Sequence, residues 1–129
     1  MATKRILVVD DEVIVVDLLT AILTDQGFEV DFALDAASAL AKVRESIFDA
    51  AILDFNLPDM NGLMLHREIR QMDEELAGNT LFASGVEQSE KNLDYYTSYG
   101  KGFISKPFEV QEVLSAVNRL LEQQPPKTE

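Results

Sequence analysis

The chain has 129 residues, 47% of them hydrophobic, which suits one domain with a packed core and excludes wholesale disorder. It carries 11 Lys and Arg against 23 Asp and Glu, a net charge of −12, which argues against a basic surface for nucleic-acid phosphates. There is no cysteine, which excludes disulfides and thiolate metal sites. The apolar runs fall short of the roughly 20 residues of a membrane span, and Met1-Ala2-Thr3-Lys4-Arg5 has no secretory pattern. A soluble, cytoplasmic protein is expected, with no direct nucleic-acid or membrane binding.

Arg5-Ile6-Leu7-Val8-Val9 is short, β-branched and closed by Asp10-Asp11, the pattern of a buried strand. Residues 13–25 are predicted helical, with Val15, Leu18, Leu19 and Ile22 at helical spacing and Gly27 as the stop. Residues 29–33 form a second strand, and Asp35 reads as the N-cap of a helix through Ala39, Leu40 and Val43. Residues 50–53 are the third strand, closed by Asp54. A helix over 62–72 follows, with Leu65, Ile69 and Met72 on one face, then a fourth strand over 80–83. Residues 88–99 read as a polar, weakly patterned helix, and 102–104 as the fifth strand. Val110, Val113, Leu114, Val117, Leu120 and Leu121 form the stripe of a last amphipathic helix. Pro125-Pro126 cannot continue it, so one domain over 1–122 and a tail or linker start over 123–129 are expected.

Five strand–helix units in series mean an α/β domain with a parallel sheet. Right-handed crossovers make it doubly wound, with helices on both faces. In such sheets ligands collect at the C-terminal ends of the strands. Asp10, Asp11, Asp54, Ser84 and Lys106 all follow or close predicted strands, so they gather at that edge. Three carboxylates in one cleft need compensation. A hard divalent cation and the Lys106 ammonium both supply it. A carboxylate beside a metal and a lysine is a nucleophile suited to phosphorus.

Each residue also has a plainer reading. Asp10 or Asp11 can cap the first helix, Asp54 can be a turn residue, Ser84-Gly85 a loop start, and Lys106-Pro107 a strand exit. Four such accidents at one sheet edge are a poor account of the joint pattern. His66, the only histidine, is expected at the surface or its boundary, and Met60, Met64 and Met72 as packing residues.

Val8-Val9-Asp10-Asp11-Glu12, the stretch from Leu53-Asp54 through Asn56-Leu57-Pro58-Asp59-Met60-Asn61-Gly62, Ala83-Ser84-Gly85 and Phe103-Ile104-Ser105-Lys106-Pro107-Phe108 together resemble receiver domains of two-component response regulators, of the chemotaxis-receiver type. The resemblance covers the chain to about residue 122. It implies a flavodoxin-like strand order 2-1-3-4-5. It implies a signalling switch rather than an enzyme, one that assists its own phosphoryl transfer and dephosphorylation. Asp54 resembles the phospho-acceptor, served by a sensor histidine kinase or phosphotransfer protein. Asp11 resembles a direct Mg²⁺ ligand, Asp10 one acting through water, and Asn56 one acting through its backbone carbonyl, with Mn²⁺ as a substitute ion. Lys106 resembles the lysine paired with acceptor and phosphoryl group, and Pro107 implies a cis bond that aims it. Ser84 resembles the switch hydroxyl and Phe103 the aromatic that follows it. Ser stands where Thr is commoner, Phe where Tyr is, and Val86 two residues after the hydroxyl is expected to alter phosphoryl lifetime. The face of the fourth helix, fifth strand and fifth helix, with Tyr95, Tyr96 and Tyr99, is expected to meet a homodimer mate or an output partner.

An aspartyl phosphotransferase or phosphatase is the competing enzyme reading. Haloacid dehalogenase-like members want Asp-x-Asp after the first strand, where this chain has Asp10-Asp11-Glu12. An inert module of receiver shape is a second rival, opposed by Asp11, Asp54 and Lys106. A flavin site is opposed by the lack of a phosphate loop after the first strand.

Overall fold

Short β-branched runs alternating with amphipathic stretches fold into one parallel sheet covered on both faces. The computed structural model describes residues 3–84, 103–106 and 109–122, without the side chains of Ser84, Phe103, Ser105 and Glu122. The elements are β1 Arg5–Val9, α1 Val13–Asp25, β2 Glu29–Ala33, α2 Ala36–Glu45, β3 Ala50–Asp54, α3 Gly62–Met72, α4 Glu74–Gly78, β4 Thr80–Ser84, β5 Phe103–Ser105 and α5 Val110–Glu122. The sheet order is β2-β1-β3-β4-β5, all pairs parallel, as the family resemblance implied. The helix expected over 88–99 with its three tyrosines, together with Gly85, Val86, Pro107, Phe108 and the tail, lies outside the described residues.

Side chains alternate across the strands and build two cores. Leu7, Val9, Ala51, Leu53 and Phe82 pack with Ala36, Ala39, Leu65 and Ile69 from α2 and α3. Ile6, Val8, Ile52, Ala83 and Ile104 pack with Val16, Leu19 and Leu23 from α1 and Val113, Val117 and Leu120 from α5. Each such Leu or Ile contributes about 1.5–3 kcal/mol by leaving water. β3, central in the order, is buried along its whole length, which holds its last residue on rigid backbone.

Three expectations need correction. The buried face of α1 is Val16, Leu19, Ile22 and Leu23, while Val13, Ile14 and Leu18 are exposed. Residues 13–23 are apolar nearly all round, so periodicity fits more than one face. Met64 and Met72 are exposed rather than packed; of the three methionines only Met60 packs against the core. The short helix α4 has just two buried residues, Leu76 and Ala77, too few to make a pattern. It starts because Asp73, at its N-cap, accepts the Leu76 N–H at 3.0 Å.

His66 is the third correction: it is 0% exposed. Its ring packs on Phe82 with centroids 5.1 Å apart, and Nε2 lies 2.8 Å from the Ala77 carbonyl. A carbonyl can only accept, so Nε2 carries the proton and α3 is tied to α4 through a neutral imidazole. Burial lowers its pKa below the usual 6.5; the Ala77 bond opposes this and the Arg70 charge adds to it. The unfolded chain therefore takes up the proton first, and the stability that neutral His66 contributes is present above about pH 6.5 and lost as pH falls below it. As the only histidine, it gives a single imidazole C–H set by NMR. We expect its titration midpoint below 6.5; a midpoint at or above that value contradicts the buried, neutral ring.

Candidate functional site

The C-terminal edge of the sheet gathers charge because three strands deliver polar residues there. Past β1, the Asp10 N–H still pairs with the Ala33 carbonyl at 3.1 Å, so the sheet holds Asp10 as rigidly as a strand residue. Its Oδ1 accepts the Glu12 N–H at 2.9 Å. Glu12, not Asp10 or Asp11, is the N-cap of α1, and no side chain caps that helix. The capping reading of the aspartate pair therefore fails, and the side chains are available for other work.

Asp54 ends β3 beside the chain reversal that starts α3. The loop is closed by an antiparallel bridge between Asn56 and Asn61 and by the Gly62 N–H on the Phe55 carbonyl at 2.6 Å. Asn61 then caps α3 through the Met64 N–H at 2.8 Å. A Cβ on Gly62 would stand 2.7 Å from the Asp54 carbonyl oxygen, closer than real contacts allow, so only glycine lets helix and strand end meet.

Lys106, just beyond β5, reaches back across this edge. Its Nζ lies 2.8 Å from Asp10 Oδ2, 3.2 Å from Asp54 Oδ1 and 3.4 Å from Glu12 Oε1. Aligned hydrogen bonds form to Asp54 and Glu12. The shorter Asp10 contact is an ion pair without hydrogen-bond alignment, which leaves Oδ2 without a directed partner. Carboxylate oxygens of Asp10, Asp11 and Asp54 all lie within 4.8 Å of one another, Asp11 exposed and the other two buried. Mg²⁺ is a small hard cation that takes oxygen ligands at about 2.0–2.1 Å, so these carboxylates would have to draw closer to share one ion. Hard oxygen donors and a buried carboxylate oxygen lacking a directed bond fit such a cation.

The electrostatics follow from burial. Asp10 is 1% and Asp54 5% exposed. The Asp54 pKa is pushed up to about 6, first by burial and then by the Asp10 charge, against the pull of Lys106 and the Asn56 N–H. Burial alone would lower the Lys106 pKa, but the facing Asp10 and Asp54 outweigh it and hold it above 10.5. Lys106 thus stays charged between two desolvated carboxylates.

Of the residues singled out from sequence, Asp10, Asp11, Asp54 and Lys106 come together. Asn56 opens the adjoining loop with its side chain exposed. Ser84 ends β4 opposite Ser105, so its backbone reaches the same edge, while Phe103 pairs with Phe82 deeper in the sheet. Glu12 was missed as a Lys106 partner; its place directly after Asp10-Asp11 was the available signal.

A family model described as the response regulator receiver domain matches residues 6–118. Chemotaxis protein CheY of Bacillus subtilis is 34% identical over 118 residues, covering 91% of this chain and 97% of that one. The crystal structure of the receiver domain of NtrX from Brucella abortus superposes with TM-score 0.85 at 36% identity, over 92% of this chain and 99% of that one. Response regulator protein TrrA from Thermotoga maritima, solved in complex with Mg²⁺-BeF, gives 0.81 at 30% identity, over 92% and 100%. The chain also spans about half the length of transcriptional regulators that it matches.

The raised Asp54 pKa has a stability consequence. Between about pH 4 and 6 the metal-free folded state binds the proton that the unfolded chain has released, so stability falls as pH rises through that window. Asp54→Asn removes the buried charge. In metal-free protein at pH 7 it is expected to raise urea-unfolding stability by on the order of 1–3 kcal/mol, with the gain fading towards pH 4. A loss of stability at pH 7 would show that the Lys106 pairing outweighs the cost of burial.

Proposed function

The chain belongs to the receiver domains of two-component response regulators, phospho-accepting signalling domains, and on that footing we propose that Asp54 is its phosphoryl acceptor. The observation that carries this is the meeting of Asp10, Asp11, Asp54 and Lys106 at one sheet edge. The domain is read as residues 1–122, a switch rather than an enzyme with turnover, with 123–129 as tail or linker.

An Asp54 carboxylate oxygen attacks the phosphorus of a phosphohistidine on a sensor kinase or phosphotransfer protein. The new O–P bond forms as the N–P bond breaks, and the electron pair stays with the departing imidazole. Burial and the Asp10 charge make Asp54 a stronger base than a solvated aspartate, and above about pH 6 it is ionised for attack. Lys106 already touches Asp54 Oδ1, within reach of the phosphoryl oxygens once the bond has formed. Asp11, Asp54 and the Asn56 carbonyl would hold Mg²⁺ or Mn²⁺, with Asp10 acting through water; the ion supplies charge neutralisation on the transferring oxygens.

Phosphorylation adds charge and acceptor oxygens at the end of β3. Ser84, at the neighbouring strand end, is the hydroxyl that moves to them, with Gly85 and Val86 following and Phe103 responding. The surface made by the 88–99 segment, β5 and α5, including Tyr95, Tyr96 and Tyr99, then meets a second copy or an output partner. The domain is placed in the cytoplasm, and no described helix is long and apolar enough to cross a membrane.

A protein donor must cover the mouth of the site to bring its phosphorus to Asp54. α1 starts beside that mouth, and Val13 and Ile14 are exposed there, Ile14 at 83%. Exposed β-branched residues at this place read as the donor's contact surface.

Incubation with acetyl phosphate and Mg²⁺ followed by intact mass measurement should show one phosphoryl adduct. The adduct should be absent in Asp54→Asn and with the cation chelated; an adduct retained in Asp54→Asn moves the acceptor elsewhere. Ile14→Glu should slow transfer from a phosphohistidine protein about tenfold while leaving acetyl phosphate labelling unchanged. Equal effects on both donors would mean that Ile14 acts on the site and not on docking.

A further inference from the structure

Asp59 lies at the exposed tip of the loop between β3 and α3, and both its carboxylate oxygens are used on another element. Oδ1 accepts the Ala36 N–H at 2.9 Å and Oδ2 the Ala37 N–H at 3.0 Å. These are the first two N–H groups of α2, which have no partner within their own helix. The third, on Ser38, goes to Asp35 Oδ1 at 2.7 Å, and the fourth, on Ala39, to the Asp35 carbonyl at 3.1 Å. Asp35 is a complete local cap of the kind expected from sequence. Asp59, 23 residues beyond Ala36, is an addition that ties two elements together.

The rest of the loop is held from elsewhere. Its base is closed by the Asn56–Asn61 bridge and the Gly62–Phe55 bond. From below, Leu57 and Met60 pack against the core. Asp59 holds the tip from the side, with a negative charge where the α2 dipole favours one. The Ala36 N–H in particular, with Ala37 and its own N–H, keeps its carboxyl below the usual carboxylate range although it is exposed. Asn56, three residues back, is the one loop residue whose carbonyl is read as a cation ligand.

We propose that Asp59 is a positioning residue that locks the acceptor loop onto the start of α2 and so holds the Asn56 carbonyl in place for the divalent cation. This rests on the reading of Asn56 as a cation ligand. The lock works in both directions: an occupied cation site restrains α2, as linkage requires.

The test compares wild type, Asp59→Ala, Asp59→Asn and Asp35→Ala by Mg²⁺ titration calorimetry and by amide hydrogen exchange at Gly62, with urea unfolding as the stability control. Asp35→Ala frays the same helix from its own cap without touching the loop, so it separates positioning from helix stability. Asp59→Ala should weaken Mg²⁺ binding about tenfold, the low end for residues that support a metal ligand, and speed exchange at Gly62. Asp59→Asn keeps one acceptor oxygen and should fall between; it carries the same comparison if Asp59→Ala does not fold. Asp35→Ala should lose stability yet bind Mg²⁺ within about twofold of wild type. The proposal is overturned if Asp59→Ala binds Mg²⁺ as wild type does, or if Asp35→Ala weakens binding equally. Asp54→Asn is the control on the underlying reading. If it binds Mg²⁺ undiminished, the cation lies elsewhere, and unchanged Gly62 exchange in Asp59→Ala then sinks the lock on its own.

Discussion

One lysine between two buried carboxylates sets the terms for the rest of the molecule. Lys106 stands 2.8 Å from Asp10 and 3.2 Å from Asp54, and both aspartates have almost no contact with water. Two desolvated anions this close repel strongly, and a single cation compensates only part of that. The residue of the imbalance is visible in Asp54, whose pKa stays near 6 despite the ammonium beside it. A site in this condition favours any further positive charge, and its oxygen donors suit a hard divalent ion.

Only a stiff scaffold can hold such a cluster. In the order β2-β1-β3-β4-β5, the crossover leaving β1 goes to one side, to β2, and the one leaving β3 goes to the other, to β4. A crevice opens where strand order reverses, outside the carboxyl ends of β1 and β3. Asp10 and Asp54 sit at these two ends, and the Lys106 side chain reaches them from beyond β5. The fully buried β3 keeps Asp54 from retreating, and Gly62 lets α3 begin against its carbonyl. The core on both sheet faces therefore confines the charges rather than merely stabilising the chain.

The same physics decides what was legible in the sequence. Strands announce themselves through β-branched runs ended by Asp or Ser, so the sheet edge and the Asp10, Asp11, Asp54 and Lys106 grouping were readable before any coordinates. Strand order was not; it came with the family resemblance, because periodicity carries no information on which strands pair. α1 is apolar on nearly every side, so its buried face was misjudged by one residue and the exposure of Ile14 went unseen. α4 is too short to show a period, and its cap at Asp73 was the sole local signal. His66 was expected at the surface or its boundary because a polar residue inside a helix usually lies there. Its burial depends on Ala77 and Phe82, partners that only the fold supplies. Asp59 had no role of its own in the sequence, since its partners Ala36 and Ala37 belong to another element.

If Asp54 is the acceptor, as proposed, phosphorylation would make an imbalanced site more so, and that would give the switch its force. A phosphoryl group carries roughly two negative charges where the free carboxylate carried one. Asp10 is held close to it by its sheet bond to Ala33 and its turn bond to Glu12. The added charge would be met by what can still adjust: a bound cation, the Lys106 side chain with its 20% exposure, and donors at adjacent strand ends. On the proposed reading, a rigid acceptor among movable donors would pass a local charge change on to the neighbouring strand ends of β4 and β5. Had Asp54 been placed on a flexible loop, the same charge would have relaxed into solvent and the signal would have ended there.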